Sequence, residues 1–191
     1  MWVVKLGGSL HDAAALRLRL AELATMAGPP RVVVPGGGPF ADAVRELQPR
    51  LGLDDLAAHR MAILAMQQFG LALQALEPRL ALAETEAELR GSRAAVWLPW
   101  ALAGLDREIE PSWDVTSDSL AAWLAARLGA ELLLLVKSAP VAPGEATAGA
   151  LAERGLVDPA FPEHARRFAG AIRIVHRDTA LPGERCLRVV G

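Results

Sequence analysis

The chain has 191 residues, 52% of them hydrophobic and 22% charged, and a formal net charge of −2. That length buries a sizeable core in one compact unit; the apolar balance argues against a disordered chain, and the charge argues against a nucleic-acid surface. Cys186 has no partner for a disulfide within the chain, no apolar run approaches the roughly 20 residues of a membrane helix, and no basic leader precedes a cleavage site. A cytoplasmic protein without a membrane partner is therefore expected.

The first predicted element is a strand over Trp2 to Leu6 that carries Lys5 and runs into Gly7, Gly8 and Ser9, with a helix from Ala13 to Met26 behind it. Glycines at such a turn let the backbone approach a ligand closely, and amides at a helix start favour an anion. The design repeats at once. Arg31 to Val34 is a β-branched run ending in Pro35 and in Gly36, Gly37 and Gly38, followed by a helix over Ala41 to Leu47. Two strand–glycine–helix units fit a parallel sheet whose ligand crevices lie at the carboxyl ends of its strands. Their spacing matches neither GxGxxG nor the Walker pattern.

Asp54 to Glu77 reads as one long helix, apolar around most of its circumference and so suited to burial on more than one side, including by a partner subunit. Arg60, Gln67 and Gln74 share a narrow stripe on it, with His59 beside them. These residues either line a substrate cleft or form a solvated edge. Pro78 to Arg93 is charged and helical in pattern, Ala95 to Leu98 is a short strand, and Leu105 to Trp113 is turn-like. Ser117 or Asp118 is placed to cap a helix running from Ser119 to Leu128, which Gly129 ends. Leu132 to Val136 is apolar enough for an inner parallel strand and delivers Lys137 and Ser138 at its carboxyl end. Ala139 to Ala150 reads as a loop over the site, Gly155 to Pro159 as a turn, and Pro162 to Phe168 as a short helix. Strands over Ile172 to Val175 and Leu187 to Val190 close the chain. No spacing of Cys and His suits a metal, and none is assigned.

Among 20 basic residues only Lys5 and Lys137 are lysines. So strong an arginine bias reflects coding composition, and a lysine that survives it at the end of a predicted strand invites a reason of its own. Lysine offers a compact, mobile point charge where arginine offers a planar fork. Phosphoryl transfer asks for such charge, and for amide donors, around a group in line between two oxygens. Lys5 and Lys137 supply the charge. The Gly7-Gly8 and Gly36-Gly37-Gly38 turns supply the amides, and Asp118 suits holding the two lysines in position.

Lys-Leu-Gly-Gly-Ser at 5–9, Pro-Gly-Gly-Gly at 35–38 and Thr-Ser-Asp-Ser-Leu-Ala-Ala at 116–122 resemble, in order, the motifs of the amino acid kinase family. The resemblance implies an α/β fold, a three-layer αβα sandwich around a mostly parallel central sheet. It also implies ATP and Mg2+ as donor, a small-molecule phosphorylated substrate, and a homodimer built on a long helix. Lys5 then matches the lysine at the transferring phosphoryl group, Gly8 and Gly37 match glycines donating amides, and Asp118 matches the aspartate that orients the catalytic lysine. The resemblance thus implies Gly7, Gly8, Ser9 and Ser138 at the phosphates of the nucleotide and Gly36, Gly37, Gly38, His59 and Arg60 at the acceptor, with a histidine packed in a subunit interface as the alternative for His59. A single domain over 1–191 is expected, with 1–112 mainly binding acceptor and a shortened 113–191 mainly binding nucleotide. The small size and the run Ala58 to Met66 look most like the short kinases of methanofuran biosynthesis, which phosphorylate a furanmethanol phosphate to its diphosphate. A kinase of the same fold on another monoester or a carboxylate, and a non-catalytic nucleotide- or anion-binding protein, are the alternatives. Many relatives carry a second lysine in a Gly-Gly-Met motif that has no counterpart after Ser138. Either Lys137 takes its place from another strand or part of the donor site is gone.

Overall fold

The computed structural model describes residues 1–7, 13–181 and 186–190. Among them eight strands form one sheet. In chain order the elements are β1 (Trp2–Leu6), α1 (Ala13–Thr25), β2 (Arg31–Pro35), α2 (Gly38–Leu51), α3 (Asp55–Leu76), β3 (Ala81–Ala83), α4 (Glu86–Gly91) and β4 (Ala94–Trp97). Then follow α5 (Trp100–Ala103), α6 (Ser117–Leu128), β5 (Leu132–Lys137), β6 (Gly144–Thr147), α7 (Ala148–Glu153), α8 (Phe161–Arg166), β7 (Ala171–His176) and β8 (Leu187–Val190).

The strand order is β3-β4-β2-β1-β5-β7-β8-β6, parallel throughout except where β8 runs against β7. The chain winds outward from β1 in both directions, through β2 and β4 on one side and through β5 and β7 on the other. The crevice beyond the carboxyl ends of β1 and β5 is thus where the winding reverses, the usual ligand position in such sheets. Valine and leucine fill the inner strands because both faces are covered. Val3, Leu133 and Leu135 face one core with Leu120 and Leu124 of α6, whereas Val4, Leu134 and Val136 face the other with Leu16, Leu20 and Leu23 of α1. This is a three-layer αβα arrangement.

Helix α6 is buried along almost its whole length, and Ala121, Ala122 and Ala125 leave room for it between the sheet and α8. In α3 a Cβ on Gly70 would lie 3.0 Å from Leu98 and 3.4 Å from Pro35, so glycine lets this helix settle against the sheet.

Two stretches differ from their sequence patterns. Residues 78–93 are not one helix: Ala81–Ala83 pairs with β4, and α4 starts only at Glu86 behind a Thr85–Glu88 capping box. Local charge and alanine favoured helix there, and an available sheet edge overrode them. Residues 139–150 are not a loop over the site. Gly144–Thr147 pairs with β8 at the outer edge of the sheet, and α7 begins at Ala148.

Candidate active site

Register brings the two lysines together. Lys5 lies opposite Leu135, and Lys137 is two residues further along β5, so both side chains leave the same face of the sheet. That face is the one α6 covers. Asp118, second residue of α6 and 4% exposed, stands between them. Its Oδ2 accepts a hydrogen bond from Lys137 Nζ at 2.5 Å, and Lys5 Nζ lies 2.9 Å from Oδ1 as an ion pair. Burial alone would push the Asp118 carboxyl up, but the charges of Lys5 and Lys137 together outweigh it and hold the carboxyl below its ordinary range. Lys137 is pushed the other way: burial lowers its pKa, the Lys5 charge lowers it further, and Asp118 only partly compensates. Asp118 is therefore not the helix cap. Thr116 occupies that position, and Asp118 faces the lysines instead.

The glycine turns sit level with this cluster. Leu6 pairs with both Pro35 and Val136, and Gly36 N donates to Leu6 O at 2.9 Å, so Gly7, Gly36 and Lys137 end side by side. Gly37 and Gly38 open α2. A Cβ on Gly37 would lie 2.4 Å from that of Ala41, and Gly38 has φ 53°, which glycine adopts without strain. Gly8 and Ser9 lie outside the described residues. Ser138 follows Lys137, and its carbonyl faces His176 Nε2 at 3.2 Å.

Against the start of α6, next to Asp118, is a cleft of about 330 Å³ lined by Gly37, Gly38, His59, Trp113, Thr116, Ser117 and apolar neighbours that include Ile63, Met66 and Leu120. The N-termini of α2 and α6 both reach it, so two helix dipoles favour negative charge there. His59 lines the cleft and is 8% exposed; burial, then the charge of Arg60, lowers its pKa and so disfavours the charged imidazole there. Arg60 itself is exposed and does not line the cleft: one residue further along α3 is a turn of about 100°, enough to carry its side chain away. Gln67, on the Arg60 stripe, accepts from Trp100 N at 3.0 Å and supports structure rather than the cleft.

The sequence reasoning missed a cleft wall. Trp113 Nε1 donates to Gln48 Oε1 at 2.5 Å, and the Arg45 guanidinium stacks over its ring at 4.3 Å. Arg45 and Asp42 were legible in part, because residues 38, 41, 42 and 45 share one face of α2. Trp113 carried no such signal, since a tryptophan ahead of a helix has no period to belong to.

The sequence model described as "Amino acid kinase family" matches residues 1–141. The [5-(aminomethyl)furan-3-yl]methyl phosphate kinase of Methanocaldococcus jannaschii is 31% identical over 128 residues, 65% of this chain and 59% of that protein, so the match spans less than two thirds of the relative. The uridylate kinase of Archaeoglobus fulgidus superposes with a TM-score of 0.74 at 18% identity, over 99% of each chain. The aspartate kinase of Synechocystis superposes with a TM-score of 0.73, also at 18% identity, over all of this chain and 40% of the other. At such identities the two structures speak for the fold.

Proposed function

The chain belongs to the amino acid kinase family and is a phosphotransferase of that family, and from that premise we propose that it transfers a phosphoryl group from ATP to the phosphate of a small monoester. The favoured acceptor is 5-(aminomethyl)-3-furanmethanol phosphate, giving the diphosphate. The observation that carries this reading is the buried Lys5–Asp118–Lys137 bridge at the carboxyl ends of β1 and β5, beside a cleft whose polar edge is made of helix N-termini.

The chemistry follows from charge. A phosphoryl group moving between two phosphates carries negative charge on three oxygens, and two ammonium groups at one edge neutralise it without covalent chemistry. Asp118 keeps those ammonium groups close together in the absence of that charge, at an electrostatic cost that the incoming phosphates relieve. In this reading Lys137 takes the part of the second phosphate-binding lysine that relatives carry in a Gly-Gly-Met motif. Gly7, Gly8, Ser9 and Ser138 are assigned to the donor phosphates, and Gly36, Gly37, Gly38 and His59 to the acceptor phosphate. Trp113, with the Arg45 guanidinium over its ring, gives the cleft an aromatic wall. The two lysines and the two helix starts fit a polyphosphate chain, and magnesium carried on those phosphates needs few protein ligands. The division into acceptor and nucleotide parts is kept, with Trp113, Thr116 and Ser117 shared between them.

We further propose a homodimer across α3, where Leu56, Leu64 and Leu71 are 45%, 40% and 48% exposed along one side. Among the described residues no helix is long and apolar enough to cross a membrane.

A coupled assay of ATP consumption, run in parallel with the furan monoester, isopentenyl phosphate, uridylate and amino acid carboxylates, tests the acceptor. Turnover confined to the furan monoester is expected. Turnover only with another acceptor would overturn the furan assignment, and nucleotide binding with no turnover on any would overturn the kinase reading.

A further inference from the structure

The first turn of α6 is held from outside by a carboxylate on a different part of the chain. Asp158, between α7 and α8, is 8% exposed. Its Oδ2 accepts from Thr116 N at 3.0 Å, Thr116 Oγ1 at 2.7 Å and Ser119 N at 3.0 Å, while its Oδ1 accepts from Ser119 Oγ. Two residues on, Ala160 N donates to Asp114 O at 3.1 Å. Thr116 makes no side-chain cap of its own, so the amides a helix start leaves unpaired depend on this distant aspartate.

We infer that Asp158 is a positioning residue for phosphoryl transfer: by clamping the first turn of α6 it fixes Asp118 where one carboxylate meets both lysines. The inference rests on the kinase reading of the site. Asp118 sits between the two clamped residues, Thr116 and Ser119, so any fraying of the turn moves it. Contacts of 2.5 and 2.9 Å tolerate little displacement. The same clamp fixes Thr116 and Ser117 at the cleft. Burial and Lys5 lower the Lys137 pKa, and Asp158 joins Asp118 in opposing them.

The test compares Asp158→Ala, Asp158→Asn and Ser119→Ala, each alone and with Asp118→Asn, by steady-state turnover and by hydrogen exchange of amides 116–120. Misplacement of a site group by about 1 Å costs on the order of 10²-fold in rate, the loss in kcat expected for Asp158→Ala. Asparagine retains an oxygen for the same amides and should recover most of that loss. Exchange across 116–120 should accelerate in Asp158→Ala and not in Asp158→Asn. In the Asp118→Asn background Asp158→Ala should cost much less than it does alone, because it acts mainly through Asp118. Wild-type turnover in Asp158→Ala, or its full effect persisting in that background, overturns the assignment alone. Wild-type protein inactive with every acceptor overturns the kinase reading and this assignment together. If Asp158→Ala does not fold, Ser119→Ala, which removes one hydroxyl donor and leaves the amides, carries the test with a smaller loss expected.

Discussion

Replacing Asp118 by asparagine removes one charge and almost no volume from the centre of the site. The carboxylate lies 2.9 Å from Lys5 Nζ and 2.5 Å from Lys137 Nζ. With an effective dielectric of about 20, each contact is worth about 6 kcal/mol of gross attraction before desolvation is counted. Stripping one partner from a buried ion pair costs about 3–5 kcal/mol net, because the remaining charge is left uncompensated. At about 2–4 °C per kcal/mol for a chain of this size, the melting temperature should fall by about 6–20 °C. Without Asp118 the two ammonium groups face each other uncompensated, and Lys137, whose pKa burial and Lys5 already lower, loses the carboxylate that opposes them. Disturbing such a preorganised charge costs on the order of 10²–10³ in rate. Turnover by coupled ATP consumption at saturating acceptor, with thermal melts on the same samples, reads both effects. The pH dependence supplies a third. The folded pKa of Asp118 is depressed below its ordinary value of 3.8, so its stabilisation is present above that value and is lost as pH falls through the folded pKa. The asparagine variant should lack that acid limb. Full turnover in Asp118→Asn would refute the two-lysine mechanism, whatever the melting temperature does.

Lys5→Ala should lose on the order of 10²–10³ in turnover while remaining folded, and Lys5→Arg should not restore it, because a planar fork does not replace a point charge in a site built around an ammonium; near-normal rates in either, measured with a confirmed acceptor, would remove Lys5 from the mechanism. Leu64→Asp places a charge on the exposed apolar side of α3 and should split the dimer. Sedimentation that finds wild-type protein as a 20.2 kDa monomer at micromolar concentration would contradict that proposal. Burial and then Arg60 lower the His59 pKa below its ordinary 6.5, so the unfolded chain takes up that proton first, and stability should decline as pH falls below that value. His59→Gln should flatten that part of the stability curve, and an unchanged curve in melts between pH 5 and 8 would show that another group titrates.

Local pattern was enough for the inner strands and for where their lysines and glycines fall. Val3–Val4, Val32–Val34 and Leu132–Val136 are uniformly apolar because a central parallel strand is covered on both faces. The glycines after β1 and β2, and two lysines in a chain otherwise rich in arginine, marked the carboxyl ends of those strands as the place for an anion. The aspartate between the lysines stands out as well, through the Thr-Ser-Asp-Ser run that opens α6 and resembles the family's motif, although by local pattern alone it reads equally as a helix cap. What the sequence alone could not supply was anything set by a partner distant along the chain. Residues 81–83 became a strand because β4 offered an open edge, and residues 144–147 did so because β8 offered another. Asp158 is some forty residues from the turn it clamps, and in sequence an aspartate before a proline is simply a turn residue. Trp113 became a cleft wall only where Gln48 and Arg45 of α2 meet it. Arg60 and His59 are neighbours in the chain, yet only packing decided that His59 is buried at the cleft and Arg60 is left to solvent. Periodicity and composition report what one segment needs from its surroundings, namely burial on one face, on two or on none. Which segment answers that need is settled by packing and long-range hydrogen bonds, and these exist only once the sheet has formed.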